Sequence, residues 1–195
     1  MHFVIIGNGV AGVTAARILS EAGAEVEIYA KEAYHYYPRP RLQRFLAGEM
    51  GLEDLYFYPP TWYEERGIAV HLGAKVVRLD PTTKRIVLAD GREVPYARLL
   101  IAAGSSPFIP PIEGMDKGGV FSLRTVEDAL AIKKWAQGAK RAVVVGGGLL
   151  GLEAARALRA QSLMVTVLER GPYLLRRQLD AEGGALLGEL IGAMG

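Results

Sequence analysis

The sequence predicts an α/β protein built from two related strand–turn–helix–strand units, the first carrying an antiparallel β-meander and the second incomplete. Three observations predict it. Laid over itself with a shift of 139 positions, the chain matches without a gap: His2-Phe-Val-Ile-Ile-Gly-Asn-Gly-Val-Ala-Gly falls on Arg141-Ala-Val-Val-Val-Gly-Gly-Gly-Leu-Leu-Gly. Each copy sets a glycine-rich corner directly after a short apolar run. Between the copies lie short strand-like segments punctuated by turn residues.

Taken in order, Phe3–Ile6 is a continuous apolar run, the pattern of a parallel strand buried on both faces. Val10, Val13, Ile18 and Ala22 recur at helical spacing, and Gly23 is placed to end that helix at a C-cap. Val26–Tyr29 returns as the second parallel strand through a right-handed crossover. Trp62 and Tyr63 are expected to pack a short helix against the sheet. Ile68–Val70, Ala74–Leu79, Arg85–Leu88 and Glu93–Pro95 read as the meander, with Pro81-Thr-Thr and Asp90-Gly91 as turns. Leu99–Ala102 is a further buried strand. Thr125, with Asp128 three residues on, is an N-cap for a helix running to about Trp135. Pro and Gly cluster at Pro110–Met115, which places the domain boundary there. The second copy then repeats the first. Ala142–Val145 matches the first strand, Ala154-Ala155-Arg156 lies under Ala15-Ala16-Arg17, and Val165–Leu168 lies under Val26–Tyr29. Gly183–Met194 reads as a closing helix. A repeat this long marks two domain-scale units and not a solenoid.

Composition narrows the function. Half of the 195 residues are hydrophobic, enough for a packed core. The formal charge of +2 and the absence of a basic run argue for no nucleic-acid partner. With no Cys, the chain offers no disulfide, thiolate nucleophile or cysteine-ligated metal. His2, His35 and His71 are scattered without metal-ligand spacing. The uncharged stretch Leu99–Ile112 holds three prolines. It is shorter than the roughly 20 apolar residues of a membrane helix, so no membrane partner is expected. The chain opens on an apolar strand with no room for a signal peptide, and a cytoplasmic setting is expected.

The glycine spacing carries the chemistry. Gly7-Asn-Gly9-Val10-Ala11-Gly12 and Gly146-Gly-Gly148-Leu149-Leu150-Gly151 are both G-x-G-x-x-G, each after a strand and opening a helix. The first glycine allows the tight turn and the second lets the backbone approach a pyrophosphate. The third lets helix and strand pack closely. Free amides and the positive end of the helix dipole then face the anion. Both units are therefore Rossmann-like. In the second, Glu169 stands eighteen positions after Gly151, where a carboxylate bonds the ribose hydroxyls and repels the extra phosphate of NADP, so this site is read as one for NADH. In the first, the matching residue is Ala30; Glu32, two positions on, is either the ribose ligand or a surface charge.

On these residues the chain resembles the FAD- and NAD(P)H-dependent pyridine nucleotide reductases. It is most similar to the branch holding the flavin part of nitrite reductase, rubredoxin reductase and ferredoxin reductases. Four features carry the likeness. They are the Gly7–Gly12 corner; Tyr37-Pro-Arg39-Pro40-Arg-Leu42 leading to Leu46-Ala-Gly-Glu49; Leu99-Leu-Ile-Ala102-Ala103-Gly104-Ser-Ser-Pro107; and Gly146–Gly151 followed by Leu-Glu153. The resemblance implies FAD on the first unit and NADH on the second. It places the Arg39-Pro40 loop along the isoalloxazine, with Arg39 on the ring or the pyrophosphate. It sets Val76 by the adenine, Ala102, Ala103 and Gly104 in the second FAD motif, and Glu153 where nicotinamide meets flavin. The family usually has Thr where this chain has Ala103. Tyr34, Tyr36 and Tyr37 serve either as packing or as a wall for the flavin.

The resemblance further implies a FAD-binding domain over 1–112 and a partial NAD(P)H-binding domain over 113–195. Hydride would pass from NADH to flavin and electrons onward to an acceptor protein or redox centre. Without Cys there is no dithiol relay. Family members continue with the rest of the NAD domain, a Gly-Asp flavin motif and an interface domain. A second expectation is therefore a truncated or split nucleotide-binding fragment without turnover. Its open sheet edge predicts a homodimer or a complementing chain. A flavin-free NAD dehydrogenase would leave the Gly7 and Gly104 motifs unexplained.

Overall fold

The computed structural model describes residues Met1–Gly195. The chain divides into two compact units, Met1–Arg39 with Leu52–Ser106, and Pro40–Gly51 with Pro107–Gly195. No helix is long and apolar enough to cross a membrane.

In the first unit, strands β1 (His2–Ile6), β2 (Glu25–Tyr29), β3 (Ile68–His71) and β7 (Arg98–Ile101) form a parallel sheet in the order β3-β2-β1-β7. Strands β4 (Val76–Asp80), β5 (Arg85–Leu88) and β6 (Glu93–Pro95) form a separate antiparallel layer. The expected meander is thus present but begins one strand later. Ile68–Val70 joins the parallel sheet, because Ile68 pairs with Val26 and its side chain belongs to the core under that sheet.

Alternation along β1 decides which layer each residue meets. Ile5 packs with Val13 and Ala16 of helix α1 (Val10–Glu21) and with Trp62 and Tyr63 of helix α3 (Thr61–Glu64). Val4 turns the other way and packs with Tyr29, Ala74, Ile86 and Leu88 beneath the antiparallel layer. Both faces are filled, as the apolar run required. Helix α1 ends where Gly23 takes φ +76 and donates to Ser20 O at 2.9 Å. The face that α1 buries is Gly12, Val13 and Ala16, whereas Val10 and Ile18 are exposed. The expected stripe through Val10 and Ile18 is therefore wrong: close approach at Gly12 sets which side meets the sheet.

The second unit holds α2 (Arg41–Ala47), α4 (Val126–Ala136), β8 (Arg141–Val145), α5 (Leu149–Ala160), β9 (Met164–Leu168) and α6 (Ala181–Ala193). β8 and β9 pair in parallel, Val143 opposite Thr166. α2 packs with α4 and α5, burying Leu46 and Ala47 against Ala157, with Ile132 and Leu158 alongside. Thr125 caps α4 in a full capping box. Its Oγ1 accepts from Asp128 N at 3.2 Å, and the Asp128 carboxylate accepts from Thr125 N at 2.9 Å. One expectation fails here. Ala142–Val145 is filled on one face only, with Val143 and Val145 on β8 and Met164 and Leu168 on β9 all more than half exposed. These positions match Val4, Ile6, Glu25 and Tyr29 of the first unit, whose face the antiparallel layer covers.

Candidate functional site

Each unit turns from strand to helix through the same backbone device. Gly7 takes φ +109 and Gly146 φ +114, a region that L side chains rarely enter. Their amides donate to the end of the neighbouring strand, Gly7 N to Tyr29 O at 2.9 Å and Gly146 N to Leu168 O at 2.7 Å. A Cβ on Gly7 would also lie 2.2 Å from Ala102 O. At the last glycine of each motif the helix presses on the corner. A Cβ on Gly12 would meet Gly7 O at 1.9 Å, and one on Gly151 would meet Gly146 O at 2.0 Å. The middle glycines behave oppositely. Gly9 and Gly148 have nothing within 4 Å of where a Cβ would stand. They are the N-caps of α1 and α5, and neither cap has a side-chain hydrogen bond.

First-turn amides without a capping side chain, opening on clear space, are an anion cradle. The apolar residues beside them are left exposed, with Val10 and Ala11 in one unit and Leu149 and Leu150 in the other. Two such cradles fit a dinucleotide in each unit, since a pyrophosphate needs backbone donors and no Cβ in its way.

Around the first cradle the structure gathers several expected residues. Ala102, Ala103 and Gly104, the last at φ +72, follow β7 directly beside Gly7. Nδ2 of Asn8 is buried without a partner, while its Oδ1 accepts from Tyr63 OH at 3.4 Å. Burial pushes the Tyr63 phenol up to about 12. Beyond β2, Glu32 and Arg39 are brought together: Nη2 of Arg39 lies 2.5 Å from Oε1 of Glu32, and Tyr37 OH donates to the same carboxylate. Val76 opens β4, paired with Leu88. Pro40 is the N-cap residue of α2 and packs with the second unit, so the expected Arg39-Pro40 loop is divided at that bond.

In the second unit, Oε2 of Glu169 accepts from Gly147 N at 2.8 Å and Oε1 from Gly171 N at 2.6 Å. These two amides, with Arg176 and Arg170 nearby, hold the carboxyl below the usual glutamate range. Glu153 stands on α5, half-exposed, with Oε2 at 3.7 Å from Nε of Arg156. Arg156 in turn places Nη1 2.6 Å from Oε1 of Glu49 and draws the Glu49 carboxyl down. Sequence reasoning did not single out Arg156 as a partner of Glu153 and Glu49. The i, i+3 spacing of Glu153 and Arg156 on a helix was the available signal. It also read the histidines as scattered. The parallel register corrects this for two of them. His2 Nε2 lies 2.9 Å and His71 Nε2 2.7 Å from the two oxygens of Glu27, and Tyr29 OH donates to the same group at 2.7 Å.

Comparison with known proteins agrees with this geometry. The chain is 40% identical over 189 residues to a nitrite reductase [NAD(P)H] of Bacillus subtilis, covering 95% of this chain and 24% of that protein. It is 38% identical over 184 residues to the ferredoxin–NAD(+) reductase component of a biphenyl dioxygenase system from Paraburkholderia xenovorans, covering 93% of this chain and 45% of that one. The crystal structure of NADH:rubredoxin oxidoreductase from Clostridium acetobutylicum superposes with a TM-score of 0.90 at 30% identity, over 100% of this chain and 51% of that chain. The chain thus spans between about a quarter and a half of the proteins it matches. The sequence profile of pyridine nucleotide-disulphide oxidoreductases matches residues 1–195. With two cradles of the required kind and this match along its whole length, the chain belongs to the pyridine nucleotide-disulphide oxidoreductase family, whose members contain FAD and depend on NAD(P)H.

Proposed function

We propose that this chain is the nucleotide-binding part of an oxidoreductase that takes electrons from NADH through FAD to an external acceptor. The acceptor would be a nitrite-reducing centre or a small redox protein of the rubredoxin or ferredoxin kind. The observation that carries the reading is the pair of uncapped glycine corners, open at Gly9 and Gly148 and closed at Gly12 and Gly151. Residues 1–112 would serve FAD and 113–195 NADH, in a cytoplasmic enzyme. The relatives support the acceptor class, since their names include a nitrite reductase and reductases of ferredoxin and rubredoxin.

When both coenzymes are bound, the chemistry they supply is hydride transfer from reduced nicotinamide to flavin and release of the electrons to the acceptor. The protein's own work is binding and orientation. Amides after Gly9 and Gly148 hold the pyrophosphates, and Val10, Ala11, Leu149 and Leu150 cover them. Glu32 and Arg39 act as one charged pair at the flavin nucleotide. Val76 lies by its adenine, and Ala102 to Gly104 bring backbone up to it. Pro40 stiffens the loop that leads toward the ring. In the second unit Glu169 fixes the ribose end. Glu153, steadied by Arg156 and Glu49, positions the nicotinamide.

The test is the visible spectrum of the purified chain after incubation with FAD. Flavin bands are expected, and they should bleach on adding NADH without oxygen. Bands that persist with NADH would reduce the assignment to nucleotide binding without turnover. A colourless protein that retains no FAD would overturn it.

A further inference from the structure

The loop after β9 sets a carboxylate among arginines. Glu169 is followed by Arg170, and the loop returns through Arg176 and Arg177, all three exposed. The return is firmly built. Leu175 takes φ +52, left-handed for a residue that is not glycine, and its amide donates to Gly147 O at 3.0 Å. That turn lays the Arg176 side chain across the backbone of Gly171. A Cβ there would lie 2.3 Å from both Cδ and Nε of Arg176. Nε of Arg176 is then 3.9 Å from Oε1 of Glu169.

Glu169 is meanwhile committed inward. Both of its oxygens accept backbone amides, one from the glycine corner and one from Gly171. The discrimination against a 2′-phosphate expected of an acid at this position depends on an uncompensated negative charge. Here that charge is bonded to two amides and faced by guanidinium groups. A phosphate dianion approaching the ribose position meets more positive than negative charge, and Arg offers the planar donor fork that phosphate favours.

We propose that the second unit accepts the 2′-phosphate of NADPH as well as the 2′-hydroxyl of NADH, with Arg176 and Arg170 holding the phosphate and Glu169 acting as the clamp of the glycine corner. This rests on the reading of that corner as the NAD(P)H site, and it names the residues that set the choice between the two coenzymes.

The experiment is isothermal titration of the 195-residue chain with 5′-AMP and with 2′,5′-ADP at fixed ionic strength. The wild type should bind 2′,5′-ADP at least as tightly as 5′-AMP. Arg176→Ala should weaken 2′,5′-ADP about tenfold, the loss of one buried-quality charged contact, and 5′-AMP less than twofold. Arg176→Lys should fall between. Wild-type binding of 5′-AMP with 2′,5′-ADP more than tenfold weaker would overturn the proposal and leave the nucleotide site standing. Equal weakening of both probes in Arg176→Ala would also overturn it. Failure of the wild type to bind either probe would remove the nucleotide site itself, and the proposal with it.

Discussion

Glu27 illustrates what a single residue does when strands line up in parallel. Its carboxylate receives His2 from β1, His71 from β3 and Tyr29 from its own strand, and Tyr29 stacks on His71 with ring centroids 4.4 Å apart. Burial works to raise the Glu27 pKa, but the three hydrogen bonds outweigh it, and the group is held below its ordinary range. A carboxylate depressed in the folded chain contributes stability that is complete above about pH 4.3, the unfolded value, and is lost as the pH falls through the depressed one. Glu27→Gln is therefore expected to lower stability near neutral pH by about 1–3 kcal/mol and to flatten the dependence below pH 4. Urea midpoints across that range measure both; parallel curves for the two proteins would count against the role. None of this was legible in the sequence, because His2 and His71 stand far apart there and only the β1-β2-β3 register joins them. The glycine corners were legible, since their steric demands are local and each glycine's part follows from its place in the motif.

Elements were readable to the degree that their signals were local. Helix α4 was marked by Thr125 and Asp128, and the structure closes the capping box between them. Thr125→Ala should remove the Oγ1 acceptor and cost about 1 kcal/mol, read as a shift in denaturant midpoint with unchanged slope. Leaving Asp128 in place keeps its bonds to Arg124 N and Thr125 N, so the loss should stay below that of a full uncapping. Strand β3 was harder. Ile68–His71 carries the same short apolar pattern as the meander strands, and only the partner, β2 rather than β4, separates a parallel strand from an antiparallel one. The face of α1 was misjudged for a related reason. Val10 and Ile18 are apolar, yet the helix is pulled onto the sheet through Gly12, so bulk at those two positions turns away from it.

For the whole chain, β8 and β9 carry apolar side chains on a face that residues 1–195 leave uncovered: Val143 is 60% and Val145 58% exposed. An apolar sheet face of this kind drives association. The chain should therefore self-associate as its concentration rises, and Val143→Lys with Val145→Lys should keep it monomeric in sedimentation velocity while changing the unfolding midpoint little. Concentration-independent sedimentation of the wild type would show that the face is not sticky. The period of the repeat could not reveal this, since Ala142–Val145 is as apolar as Phe3–Ile6 and the difference lies in what covers it.

The excursion of Pro40–Gly51 has a consequence for how the polypeptide is held together. The backbone passes from one unit to the other after Arg39, returns after Gly51 and passes over again after Ser106. A protease that cuts only at the last crossing would not release residues 107–195 outright. They would remain tethered by α2, whose Leu46 and Ala47 are sealed against Ala157. Severing the two halves thus requires peeling a helix out of its seat, and the excursion works as a dowel as well as a linker.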